Sequence, residues 1–159
     1  MPHAITCDKV RLHYEEVGQG TSLLFVHEFA GDHRSWEPQM REFGKRYRCI
    51  AYAARGYPPS DVPDDAETYS YQHVMRDCVA VLDNLKIDSA HIVGLSMGGY
   101  TTLQVALNHP TRVRSMTLAA PDPAANAGTL KRFARIRLRS PISSSAKVRR
   151  RLRRAMARA

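Results

Sequence analysis

Val10, Leu12 and Tyr14 alternate with Arg11, His13 and Glu15, the two-residue period that predicts a strand buried on one face. Gly18-Gln19-Gly20 then turns the chain, since two glycines so close favour a sharp reversal. The run 22–27 is short and continuously apolar up to its closing histidine, as a strand covered on both faces of a parallel sheet requires. Ser35 is placed to cap a helix reaching about Gly44, with Pro38 tolerated in its first turn. Residues 47–52 predict a further strand, and a loop rich in Pro and Asp follows over 53–69. Ser70 caps the clearest helix, 71–85, whose Val74, Cys78, Val81, Leu82 and Leu85 share one face. A strand over 91–95, a helix over 97–109 stopped by Pro110, and a strand over 113–119 complete the pattern. Strands alternating with helices predict an α/β fold of three layers around a mostly parallel sheet. From Pro121 the alternation stops.

Charge divides the chain at the same place. The net charge is +9, which taken alone suggests a nucleic-acid partner. Residues 1–120 hold 12 Lys and Arg against 14 Asp and Glu, whereas 121–159 hold 12 against 1. The basic excess therefore belongs to the last 39 residues, and two segments are expected: a folded core over 1–120 and an Arg/Ala-rich basic tail over 121–159, helical or disordered. No apolar run approaches the roughly 20 residues that span a bilayer, and the N-terminus lacks the basic-then-apolar build of a signal peptide. Cys7, Cys49 and Cys78 are scattered, without metal-type spacing. Reduced structural thiols, and with them a cytoplasmic location, are the expectation.

Gly94-Leu95-Ser96-Met97-Gly98 carries the chemistry. It reads G-x-S-x-G at a strand-to-helix junction, the context in which this pattern forms a nucleophile elbow. Glycines flank the serine because a β-carbon there would crowd the turn. The turn projects the hydroxyl outward, and the helix start behind it favours developing negative charge.

With these residues in place, the stretch 23–120 resembles the α/β-hydrolase superfamily, in its branch of esterases, epoxide hydrolases and C–C bond hydrolases. His27-Glu28-Phe29-Ala30-Gly31 is similar to that family's H-G-x-x-G loop, and 54–61 to its R-G-x-G-x-S segment. The resemblance implies that Ser96 is the nucleophile and that the backbone N–H groups of Phe29 and Met97 form an oxyanion hole. It gives His27 a loop-bracing role and the 54–61 segment, with Arg55, an architectural one. Trp36 is expected to pack helix against sheet. Glu28 departs from the family's glycine, and its carboxylate must point away or find a cation such as Arg34.

A serine needs a base to take its proton, and the family supplies a late histidine oriented by an acid. Here His109 alone follows Ser96, at the far end of the intervening helix, and Asp122 has no histidine to orient. The resemblance thus covers part of the fold, an incomplete α/β-hydrolase with an apolar sheet edge left after 113–119. An ester or related small carbonyl substrate is expected, with the chain by itself nearly inactive and with no metal or organic cofactor. The tail leaves three readings open. It could be a basic segment for nucleic acid or anionic membrane, with Val148, Leu152 and Met156 on one helical stripe. It could be the product of a shifted frame in a GC-rich gene, so that the protein is a truncated hydrolase. Or the chain could be a non-catalytic binding protein on a partial hydrolase scaffold.

Overall fold

The computed structural model describes residues 1–119. The expectations for the tail and for Asp122 lie outside the described residues.

Among the described residues six strands form one sheet in the order β1-β2-β4-β3-β5-β6. They are β1 (His3–Ile5), β2 (Arg11–Val17), β3 (Ser22–Val26), β4 (Arg48–Tyr52), β5 (Ala90–Leu95) and β6 (Val113–Ala119). β4, β3, β5 and β6 run parallel, while β1 and β2 join antiparallel at one edge. The helices are α1 (Glu37–Phe43), α2 (Tyr71–Asn84) and α3 (Met97–Asn108). Among the described residues β6 pairs with β5 alone.

The strand period sorts the core into two halves. Leu24, Val26, Ile50, Tyr52 and Ile92 pack with Cys78, Val81 and Leu82 of α2 and Val105 and Ala106 of α3. Leu23, Phe25, Cys49 and Ala51 point the other way, onto Trp36 and Met40. Register holds the layers flush: Leu24 lies opposite Ile50 on one side and Ile92 on the other. Trp36 packs against the sheet as expected, its ring 5.0 Å from that of Phe25.

Three local expectations are corrected. The helix at 35–44 begins instead as a 3-10 turn, His33–Trp36, whose cap is Asp32 accepting from the Arg34 amide; α1 proper follows from Glu37. Asp32 won because its carboxylate sits at the true start of the turn, whereas the Ser35 hydroxyl is spent on Glu28. β1 is a strand that the pattern missed, because three residues are too few to show a period. His13, assigned to the solvent phase of β2, is 4% exposed, covered by the turn that carries His33.

Two other features follow the pattern closely. Ser70 caps α2 by accepting from the His73 amide. All three cysteines are free, with Cys49 and Cys78 buried. Among the described residues no helix is long and apolar enough to cross a membrane.

Candidate active site

Ser96 sits between β5 and α3 with φ 49° and ψ −113°, a left-handed conformation that costs a non-glycine residue about 1–3 kcal/mol. Its neighbours show what enforces the turn. A β-carbon on Gly94 would meet the Gly98 carbonyl and lie 2.5 Å from Thr102 Oγ1. One on Gly98 would strike the Val26 carbonyl and lie 2.7 Å from the His27 carbonyl oxygen. Both glycines thus allow β3, β5 and α3 to converge. The Ser96 amide donates to Ala119 O at 2.9 Å, so the end of β6 also holds the turn.

Phe29, Ser96 and Met97 line one cleft of about 420 Å³ together with Tyr69, Tyr71, Val74 and Tyr100. The three residues expected to act together are therefore brought together. Met97 opens α3, so its N–H has no intrahelical acceptor. Among the described residues none accepts from the Phe29 N–H either. The Phe29 side chain is 76% exposed, and the Tyr57 hydroxyl steadies its backbone by donating to Phe29 O at 2.9 Å.

His27 braces the loop beneath. It is fully buried, and its Nε2 accepts from the Ala54 amide at 3.0 Å. Nδ1 must then carry the proton, which it donates to Glu28 O at 2.7 Å. Burial holds its pKa below the ordinary value, so the neutral ring is the stable form. Both ring nitrogens are engaged, and His27 has no lone pair to offer Ser96. Tyr57 stacks edge-on against it at 4.6 Å.

Glu28 is turned back into its own loop, where its Oε1 accepts from the Ser35 hydroxyl at 3.0 Å. Gly31 leaves the room for this pair. Of the two arrangements expected for Glu28, turned away or paired with a cation such as Arg34, the structure shows the first: Arg34 grips Asp32, its Nε 3.0 Å from either carboxylate oxygen. Asp32 is closer in sequence and presents both oxygens to one guanidinium.

Arg55 is architectural, as the resemblance implied, but through a cluster that the sequence reading missed. It is 2% exposed and forks onto Asp77 of α2 at 2.7 and 2.6 Å. Its remaining donors reach Asp8 and the Thr68 carbonyl. Ser60 accepts from the His13 amide and donates to Ala53 O. The aromatic walls Tyr69, Tyr71 and Tyr100 were also missed. Tyr69 and Tyr71 flank the α2 cap, and Tyr100 follows Ser96 by one helical turn, a spacing that places it above the serine.

Among the described residues no histidine lines the cleft. His109 follows the last residue of α3, whose 12 residues put about 18 Å between it and Ser96, and it lines a separate hollow with Ile5 and Arg76.

The sequence profile of the alpha/beta hydrolase fold family matches residues 21–139. Epoxide hydrolase 1 of Caenorhabditis elegans is 36% identical over 111 residues, covering 69% of this chain and 28% of the relative. 3-oxoadipate enol-lactonase 1 of Acinetobacter baylyi is 35% identical over 98 residues, covering 62% and 36%. A solved N-acyl homoserine lactone degrading enzyme superposes with a TM-score of 0.69 at 36% identity, covering 74% of this chain and 44% of that one. The chain thus spans less than half the length of each.

Proposed function

The chain belongs to the alpha/beta hydrolase fold family, and we propose that its Ser96 is the nucleophile for hydrolysis of an ester or lactone. The observation that carries this reading is the strained Ser96 turn opening into one cleft with Phe29 and Met97. In the proposed reaction Ser96 Oγ bonds to the carbonyl carbon while the carbonyl oxygen takes up negative charge. The Phe29 and Met97 amides hold that oxygen, an interaction whose loss typically costs about 10² to 10³ in rate per donor. Collapse breaks the bond to the leaving alkoxide, which receives the serine proton, and water then releases the acyl group. Neither step calls for a metal or an organic cofactor.

The relatives include an epoxide hydrolase and two enzymes named for lactones, and Ser96 favours the lactone side. A lactone or ester offers a planar carbon for attack and an oxygen for two amides to hold. An epoxide has no carbonyl carbon, and its opening by Ser96 would leave an ether that water does not cleave, whereas the acyl ester formed from a lactone is hydrolysable. The cleft walls, Phe29, Tyr69, Tyr71, Val74 and Tyr100, suit an apolar or aromatic acyl group of a small-molecule substrate.

Ser96 lacks an activating base among the described residues, and the remaining 40 residues contain no histidine. Loss of the base alone costs about 10⁶ in turnover in a well-studied serine hydrolase. The 159 residues by themselves are therefore proposed to turn over activated esters slowly. Rates on p-nitrophenyl acetate, a small lactone and styrene oxide, with and without Ser96→Ala, test the reading. Slow ester and lactone cleavage lost in Ser96→Ala supports it; epoxide opening that survives Ser96→Ala overturns it.

A further inference from the structure

The geometry points to a second site: we propose that His13, Glu15 and His33 bind a divalent transition-metal ion of the zinc class, away from the Ser96 cleft. These residues each offer one donor atom, and the three atoms lie within 4.8 Å of one another. None of them lines the cleft. Two imidazoles and a carboxylate form a donor set that suits zinc, with a fourth position left for water.

The fold presents the donors on one surface. His13 and Glu15 are two residues apart on β2, so they share a strand face, opposite the face that buries Leu12 in the main core. His33, in the 3-10 turn before α1, closes over that face with its ring 4.9 Å from His13 and steeply inclined to it. His33 Nε2 lies 3.5 Å from Glu15 Oε1. Zinc–nitrogen bonds of about 2.1 Å imply roughly 3.4 Å between tetrahedral ligands, so the His33–Glu15 pair already has ligand spacing, and the His13 donor, within 4.8 Å of both, would close by up to about 1.4 Å. The Glu15 side chain, 53% exposed, supplies the mobile member and the opening to solvent.

The second ring nitrogens point to the same conclusion. Metal-ligating histidines characteristically donate their other N–H to a carbonyl or carboxylate. His13 Nδ1 lies 3.2 Å from the Pro2 carbonyl oxygen, which leaves Nε2 with its lone pair free. His33 Nδ1 lies 3.8 Å from Asp32 Oδ1 and, among the described residues, is a buried nitrogen with no hydrogen-bond partner. The ring is 5% exposed. An ion on Nε2 would fix its tautomer and draw Nδ1–H onto Asp32.

The test uses the full 159-residue chain, without an affinity tag and stripped of metal. Zinc chloride is titrated by calorimetry, and cobalt chloride by visible absorption. The expected result is one ion per chain, with cobalt bands of the intensity of four-coordinate sites. Exposed Glu15→Gln should weaken binding at least about tenfold while leaving the fold unchanged by circular dichroism. His33→Gln should do the same or more. The absence of saturable uptake overturns the proposal, as does uptake equally tight in wild type, Glu15→Gln and His33→Gln. Either result leaves the Ser96 reading untouched.

Discussion

Gly98 lies so close to Val26 that a β-carbon on it would run into the Val26 carbonyl. Val26 ends the strand that leads to Phe29, and Gly98 directly follows Met97, so this contact sets the spacing between the two proposed oxyanion donors. Gly98→Ala is expected to cost about 1–3 kcal/mol through overpacking, with the rate of acyl transfer falling further than stability alone explains. Urea denaturation alongside burst kinetics measures both. A variant that loses neither would remove this spacing role.

His27 joins the Ala54 amide to the Glu28 carbonyl. His27→Ala strands both buried groups, each at about 1–3 kcal/mol. Because burial lowers its pKa, the native ring resists protonation, so its contribution is present above about pH 6.5. That contribution is lost as pH falls from there toward the lowered folded value. The urea midpoint of wild type should drop across that window more steeply than that of His27→Ala. Parallel curves would contradict the assignment.

Arg55 and Asp77 form a buried bidentate pair. Arg55→Met leaves the Asp77 carboxylate without its partner, and about 3–5 kcal/mol of stability should be lost. Adding Asp77→Leu removes the stranded charge and should recover part of it. If the double variant is no more stable than Arg55→Met, the pair is not what holds α2 to the 54–61 segment.

The Arg55 guanidinium also holds the Asp8 carboxyl at about 2. A depressed carboxylate contributes stability that is complete above the unfolded value of about 3.9 and lost as pH falls toward 2. Asp8 is 31% exposed, so solvent screens the effect. Asp8→Asn should lower the melting temperature at neutral pH and flatten its fall between about pH 4 and 2. A fall as steep as that of wild type would refute the link. Asp32, held to about 2 by Arg34, keeps the variant from being wholly flat.

Much of this was legible in the chain, for identifiable reasons. α2 carries a long apolar stripe and β3 an unbroken apolar run, and the G-x-S-x-G turn announces itself because only glycine fits at 94 and 98. β1 is too short to show a period. The cap at Asp32 was hidden by Ser35, an equally good capping type three residues on. Arg55 gave no sign of its partners, since Asp8 and Asp77 lie 47 and 22 residues away and only the sheet brings them together. His13 read as a solvent-facing position because strand alternation does not foresee a turn folding over it. The tyrosine walls of the cleft were visible as residues but not as a cluster.

The most direct test of the Ser96 proposal is intact-mass spectrometry of the chain after brief exposure to p-nitrophenyl acetate, with peptide mapping of any adduct. Without a base to speed deacylation, a single acetyl group should accumulate on Ser96 and be absent from Ser96→Ala. Acetylation confined to lysines, or equal labelling of wild type and Ser96→Ala, would show that Ser96 is not the nucleophile.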